Sequence, residues 1–392
     1  MLLVGVNAFA DMTGFYKAAL KHLQYNKVYA LHDKANQISQ RAVTYSKYAN
    51  FGADIAYSKT YAKLLPTAPG RFGTTDFVLH DTIDLFGEND YKIRTLRLDT
   101  KVKKSRLNLK KEQLFIALAN MVALYNQTVA QLKIRQALYS REHKIYKKLA
   151  MLEKSGNITE IELLRFKNTL TALQTGIVAM KQERSNMQAQ LKLYAPDQNI
   201  PKLIETKIVY GKKDFLRHNP QATINALDAQ KLFTASKGKQ NRYMPTLDVS
   251  AAYQRLGDPT SYGDNHAFGV ALHLPLNGGD YQEAEALKVA ALGKETERIE
   301  AKIQREQAYI KYCQAYQNAK QQLDVLERSR RDFEKSEAAI QKAYLKQYVD
   351  FNTYLQVLQQ LLDVKEQIAA MKTKEALQAT IINAIASGKV YE

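Results

Sequence analysis

Two runs of this chain contain almost none of the residues that end a helix. Tyr91 to Lys154 has neither Gly nor Pro, and Asp280 to Lys346 has no Pro and the single Gly293. Acidic residues (Asp280, Glu283, Glu285) gather where the second run starts, and the pattern predicts helices of roughly 65 residues. At about 1.5 Å per residue each would be roughly 100 Å long, far more than a globular core can cover. What feeds them is equally specific. In HLPLNGGDYQEAEALKVAALG, His273 to Gly293, the chain changes period. Phe268, Val270, Leu272, Leu274 and Leu276 alternate with Ala267, Gly269, Ala271, His273 and Pro275, and the alternation stops at Asp280. A strand therefore runs into a very long helix through Asn277, Gly278 and Gly279.

The pattern is written twice. FGENDYKIRTLRL, from Phe86, and LNGGDYQEAEALK, from Leu276, both follow a strand-like segment and both open a breaker-poor run. Placing Gly87 on Asn277 brings Tyr125 within one position of Tyr316. Each half reads helix, strand, loop, strand, long helix, tight turn, shorter helix. Residues 11–195 are the first repeat, with strands at 51–62 and 75–85, a long helix at 91–154 and a helix at 158–195. A linker covers 196–212. Residues 213–388 are the second repeat, with strands at 244–255 and 266–276, a long helix at 280–346 and a helix at 350–387. LLPTAPGRFGT and LGDPTSYGDN are the loops of the two hairpins, and Gly87, Gly278 and Gly279 let strand bend into helix.

Leu247, Val249, Ala251 and Tyr253 alternate with Asp248, Ser250, Ala252 and Gln254, so one sheet face suits lipid and the other water. The first hairpin is less clean, because Asp81 shares a face with Phe77, Leu79 and Ile83. Four strands cannot close a barrel, and two open-edged hairpins require other copies to complete the sheet. Two copies would give eight strands and a filled interior; three would give about twelve and room for water. Leu114, Leu118, Met121, Tyr125, Leu132, Tyr139, Tyr146 and Leu149 have the spacing of helices packed side by side.

Composition removes several function classes. No run of about 18 apolar residues exists, which excludes a transmembrane helix but not a β-barrel span. MLLVGVNAFADM resembles a truncated signal peptide, with Ala8-Phe9-Ala10 as the cleavage site and Asp11 as the first mature residue; an ordinary start is the alternative. Residues 1–10 are then a leader remnant. Cys313 is the only cysteine, so neither an internal disulfide nor an amino-terminal lipid anchor is available. The net charge of +18 concentrates between Lys92 and Glu112, where nine Lys or Arg face two acids. That run is a solvated helix face or an anion-facing surface. No zinc finger or RNP motif accompanies it, which argues against nucleic acid as a partner. The seven histidines form no i, i+4 pair and have no nearby Cys, so no metal site, cofactor or catalytic centre is expected and the protein reads as a non-enzyme. Gly278-Gly279 lacks the spacing of a phosphate cradle.

On these residues the chain resembles the TolC-like outer membrane efflux protein family over nearly its whole length. The features that carry the resemblance are two repeats, an alternating strand before PLNGG, and turns ahead of ITEIELLRFKNTL and VDFNTYLQVLQQLLDVKEQI. The resemblance implies an α+β membrane protein: a homotrimer whose twelve-stranded barrel sits in outer-membrane lipid and continues as an α-helical coiled-coil tunnel into the periplasm. It implies a passive exit duct for an efflux or type I secretion system, served by an inner-membrane transporter and a periplasmic adaptor. It places the adaptor-docking periplasmic tip at Ser155, Gly156, Asn157 and at Gln347, Tyr348, Val349. Some family members carry two aspartates at the aperture; here Thr353 and Gln356 take those positions and Asp350 is the nearest acid. The competing reading is a secreted or periplasmic coiled-coil scaffold or adaptor without a pore.

Overall fold

The computed structural model describes residues 11–48, 51–65, 68–156, 158–204, 207–258, 261–274, 278–346 and 348–392. Residues 1–10, expected to be a leader remnant with its cleavage site, and the residues Asn157 and Gln347 expected at the tip lie outside the described residues. The element order is α1 (Met12–His22), α2 (Tyr25–Tyr48), β1 (Phe51–Leu65), β2 (Ala68–Ile83), α3 (Glu88–Lys154), α4 (Glu160–Tyr194), α5 (Lys212–Arg217), α6 (Pro220–Gln240), β3 (Thr246–Asp258), β4 (Ser261–His273), α7 (Gly278–Leu345) and α8 (Phe351–Ala386). The two breaker-poor runs are single helices of 67 and 68 residues. No described helix is long and apolar enough to cross a membrane.

The chain divides into two compact units, one of residues 27–107 and 220–301, the other of residues 1–26, 108–219 and 302–392. The first unit holds the strands. They form one antiparallel sheet in the order β1-β2-β3-β4, so β2 pairs with β3 and the two hairpins are continuous. Both hairpins are longer than their loop signals suggest: β1 pairs with β2 as far as Leu65–Ala68, and β3 with β4 as far as Asp258–Ser261. Pro69 is tolerated because it lies opposite Lys63, beyond the stretch Gly73–Ile83 where β2 also pairs with β3, so the donor it lacks is not needed on that side. The register sets Asp81 opposite Phe51 and Val249, on the face shared with Phe77, Leu79 and Ile83.

The second unit is helical. Its largest cluster joins Phe15, Tyr16 and Ala19 of α1 to Phe115, Leu118 and Val122 of α3, Leu191 of α4, Phe215 of α5 and Ile381, Ile382 and Ile385 of α8. Of the residues whose spacing suggested helix packing, Leu118, Leu132 and Leu149 are fully buried, and Leu114, Met121 and Tyr125 pack partly against this cluster. The irregular segment before α5 is held by two side-chain amides. Asn383 accepts from the Val209 amide at 2.8 Å and donates to the Lys207 carbonyl at 2.9 Å, and Asn126 donates to the Pro201 carbonyl at 3.1 Å. Tyr16 meets Phe115 edge-on at 5.2 Å, and its hydroxyl lies 3.0 Å from the Lys111 carbonyl and 2.8 Å from that of Val390, tying the end of the chain to α1 and α3.

Removing that hydroxyl with Tyr16→Phe keeps the ring contacts and leaves buried acceptors without their donor. The expected cost is about 1 to 2 kcal/mol, read as a lower denaturant midpoint for the purified protein.

Candidate functional site

The sheet presents two chemically opposite faces. On one, Phe51, Ile55 and Tyr57 of β1, Phe77 and Leu79 of β2, Val249 of β3 and Phe268, Val270 and Leu272 of β4 are all exposed, Phe268 at 89%. The other carries Asp54, Ser58, Thr74, Asp76, His80, Asp248, Gln254 and Asn265 among small residues. Here the polar groups find one another: Thr82 donates to Asp248 at 2.7 Å, Ser58 and Thr74 hydroxyls meet at 2.6 Å, and His80 Nδ1 lies 3.4 Å from Asp54. The His80 ring occupies the space over Gly52, where a Cβ would approach it to 2.3 Å. An apolar face that greets solvent and a hydrogen-bonded polar face are the arrangement of a membrane strand, not of a core strand.

Helices in the same unit repeat the strand order sideways. Asn36 of α2 donates to Asp99 and Thr100 of α3 at 3.3 and 3.0 Å, Lys231 of α6 reaches Asp99 at 2.7 Å, and Ser236 of α6 donates to the Ala284 carbonyl of α7 at 2.7 Å. The amphipathicity of α2 is inverted. Its inward stripe is Tyr29, Asp33, Asn36, Gln40, Val43 and Lys47, whereas Val28, Leu31, Ala35, Ile38, Ala42 and Tyr45, at alternating spacings of three and four, face outward and are exposed. On α7, Val289, Leu292, Thr296 and Ile299 form a second outward seam with the same spacing; its three large apolar members are 56–68% exposed. Neither seam has a partner among the described residues of this unit, and β1 and β4 are likewise the unpaired edges of the sheet.

Eight of the nine basic residues, all but the exposed Lys110, sort into two groups. Lys92 pairs with Glu88 at 3.0 Å, Lys103 with Asp99 at 2.9 Å and Arg106 with Asp228 at 3.4 Å, and Lys111 donates to the Tyr391 carbonyl at 3.1 Å. Burial pushes the Asp99 carboxyl up, but hydrogen bonds from Lys231, Lys103 and Asn36 outweigh it and hold the group well below the usual carboxylate range. Arg94, Arg97, Lys101 and Lys104 instead share one exposed face of α3 and form no ion pair among the described residues.

The helix turns belong to the other unit. At the first, the Ser155 amide donates to the Met151 carbonyl at 3.3 Å and the Gly156 amide to that of Glu153 at 2.8 Å. Gly156 has φ +76°, and an added Cβ would meet nothing within 4 Å, so backbone handedness and not space demands glycine. Thr159 then caps α4, with a reciprocal capping box to Glu162. At the second turn the Lys346 amide donates to the Lys342 carbonyl at 3.2 Å and the Tyr348 amide to that of Ala343 at 2.9 Å. Tyr348 is 79% exposed. Asp350 is the N-cap of α8; its carboxylate accepts the Thr353 amide at 3.0 Å, and hydrogen bonding from Thr353 lowers its pKa. Thr353 and Gln356 are exposed on the first two turns of α8. Both turns are backed by one cluster that includes Leu149, Phe166, Tyr344, Phe351 and Tyr354, with Ile158 and Leu345 at its margin.

The strand-to-helix residues divide. Gly87, with φ +74°, makes a left-handed bend directly before α3, and the Asp84 carboxylate accepts the Glu88 and Asn89 amides at 3.0 and 2.8 Å. Gly278 and Gly279 are the first two residues of α7, and residues 275–277 before them lie outside the described residues. Sequence reasoning passed over the α2 seam, although the 28-31-35-38-42-45 spacing was there to find. It also passed over a cluster in which buried Glu142, Glu337 and Tyr354 meet the partly exposed Arg141, for which no sequence signal exists.

No protein-family model matches the chain, and no curated protein sequence matches it significantly. Solved structures do. The outer membrane protein VceC of Vibrio cholerae superposes with a TM-score of 0.74 at 15% identity, over 97% of this chain and 96% of that one. CusC, described in connection with folding and transmembrane channel formation, gives 0.76 at 13% identity over 97% and 92%. The CmeC outer membrane channel of Campylobacter jejuni gives 0.70 at 16% identity over 97% and 86%. The chain has the fold of these outer membrane proteins, the fold its resemblance to the TolC-like family led us to expect.

Proposed function

We propose that the protein is the outer-membrane channel of a tripartite efflux or type I secretion system, a passive exit duct and not an enzyme. The single observation that carries this reading is the pair of unsatisfied lateral edges in the strand-bearing unit. At one edge stand β1 and the apolar seam of α2; at the other stand β4 and the apolar seam of α7. The two edges differ, so they suit head-to-tail contact between copies, which closes into a ring. Three copies give twelve strands. The polar face then has room for water, and strands of 13 residues tilted by about 40° cover roughly 33 Å, enough for a bilayer core. The fold likeness and the double occurrence of helices, hairpin, long helix and shorter helix support the same two-repeat trimer, placed in the outer membrane with its helices in the periplasm. A pore-free scaffold would leave Phe268, Val270 and Leu272 in water for no purpose.

In this reading the turns Ser155, Gly156, Asn157 and Gln347, Tyr348, Val349 form the periplasmic tip that meets an adaptor, and Asp350, Thr353 and Gln356 border the aperture. Asp350 is engaged as a helix cap, which favours its ionised form and makes it the one acid among these three positions.

Cysteines placed at Leu31 and Leu292 should cross-link between copies in detergent and yield a species three times the chain mass; only intramolecular product or none would exclude the ring. Planar bilayers should show stable pores. Gly156→Ala should cost about 1 kcal/mol through its left-handed backbone and leave trimer yield intact, whereas a bulky charged residue at Tyr348 should reduce export without affecting the trimer. Arg94, Arg97, Lys101 and Lys104, repeated in three copies, predict weak anion preference in reversal potentials that fades as salt screens it. Strong cation selectivity would show that this face lies away from the passage.

A further inference from the structure

Two buried carboxylates share a single guanidinium in the helical unit. The side chains of Glu142 of α3 and Glu337 of α7 are 1% and 6% exposed. Arg141 contacts both, with Nε 3.0 Å from Glu142 and its terminal nitrogens 3.0 and 3.2 Å from Glu337. The fully buried Tyr354, in the first turn of α8, donates its hydroxyl to Glu142 Oε2 at 2.6 Å. We propose that this cluster is a proton-operated latch: protonation of Glu142 tightens the packing of α3, α7 and α8 behind the helix turns, and its ionisation loosens it.

The charge count gives the direction. With both acids ionised the cluster carries one uncompensated negative charge on carboxylates shut off from water, while the Arg141 side chain that offsets the other is 37% exposed, and that excess charge is costly. A proton on Glu142 removes that charge and leaves Arg141 and Glu337 as a neutral pair. Groups from every packed element surround Glu142, and the charge of Glu162 on α4 acts on Tyr344 beside them. From α3 come Arg141 and the neighbouring His143, whose ring stacks between Tyr139 and Tyr146 at 5.8 and 6.4 Å. From α7 come Glu337 and Tyr344, whose ring stacks on Tyr354 at 5.1 Å. From α8 comes Tyr354, and from α4 the uncharged Phe166, 6.4 Å from Tyr354. The nearby acid Glu334 is already satisfied by Arg330 and Lys365. Burial raises the Glu142 pKa, and Tyr354 and Arg141 only partly oppose it. A carboxyl raised in the folded state stabilises the fold below its unfolded pKa, and that stabilisation is lost as pH climbs through the folded value. The latch therefore closes in acid.

The effect on a passage rests on the channel reading; the latch itself does not, because its test needs no conductance. Hydrogen exchange of the full chain in detergent, corrected for intrinsic rates, should show protection of the segments around 139–146, 334–345 and 351–358 falling about tenfold between about pH 5 and pH 8. Glu142→Gln should hold protection at the acid level throughout. Tyr354→Phe removes a donor to the ionised carboxylate and should move the transition to higher pH. Wild-type protection that is flat or rises with pH overturns the proposal. So does a Glu142→Gln profile that keeps the wild-type slope, which would assign the pH dependence to a group other than Glu142.

Discussion

Backbone hydrogen bonds that the chain cannot make for itself govern the rest of the molecule. The sheet ends at β1 on one side and β4 on the other, and each of these strands of 15 and 13 residues has a ladder on one side only. In water such edges invite uncontrolled pairing; in lipid every unpaired group costs several kcal/mol, and only a closed barrel satisfies them all. Side chains add the same demand. An outward apolar face and an inward polar one can both be content only if lipid lies on one side and water on the other.

The helices beside the sheet obey this constraint too. A surface helix ordinarily turns its apolar stripe to its own core. α2 does the reverse, presenting Asn36 and Lys47 to α3 and Val28, Leu31, Ile38 and Tyr45 to the outside. Within one chain that choice is wasteful. In the proposed ring it is economical, because the apolar stripe would meet the seam of α7 from the next copy at the boundary where β1 would meet β4. Strand edge and helix seam would thus be satisfied by the same proposed closure through different physics, one by hydrogen bonding and one by apolar burial.

Much of this was legible in the sequence, for local reasons. Strand and helix have different periods, so the change at Asp280 and the missing breakers in Tyr91 to Lys154 identified the strands and the long helices. Hairpin lengths were less legible: Pro69, Gly70 and Gly73 read as loop, but cross-strand pairing carries the ladder through them. Gly87 makes its bend through a positive φ, which the sequence could suggest only as a glycine at a strand end. Glu142 and Glu337 look like ordinary surface residues of long polar helices, and only the approach of α3, α7 and α8 buries them. That convergence joins residues 195 positions apart (337 against 142), beyond any local pattern.

The helix turns show how little a turn can hold in reserve. Ser155, Gly156 and Thr159 spend their polar groups and backbone freedom on ending one helix and starting the next, and Asp350 spends its carboxylate on the α8 N-terminus. Such groups fix where the chain reverses but respond weakly to their surroundings, since each is satisfied locally whatever the packing behind it. The groups that depend on packing lie further in. Tyr354 meets Glu142 only if α8 lies against α3, and Arg141 reaches Glu337 only if α3 lies against α7. Parting these helices would break the Tyr354–Glu142 and Arg141–Glu337 contacts and hydrate both carboxylates, so in the proposed latch the balance between closed and open turns on the protonation of Glu142. Sequence comparison draws attention to the turns because they interrupt the pattern. The energetics place the sensitivity behind them, in residues that the pattern hides.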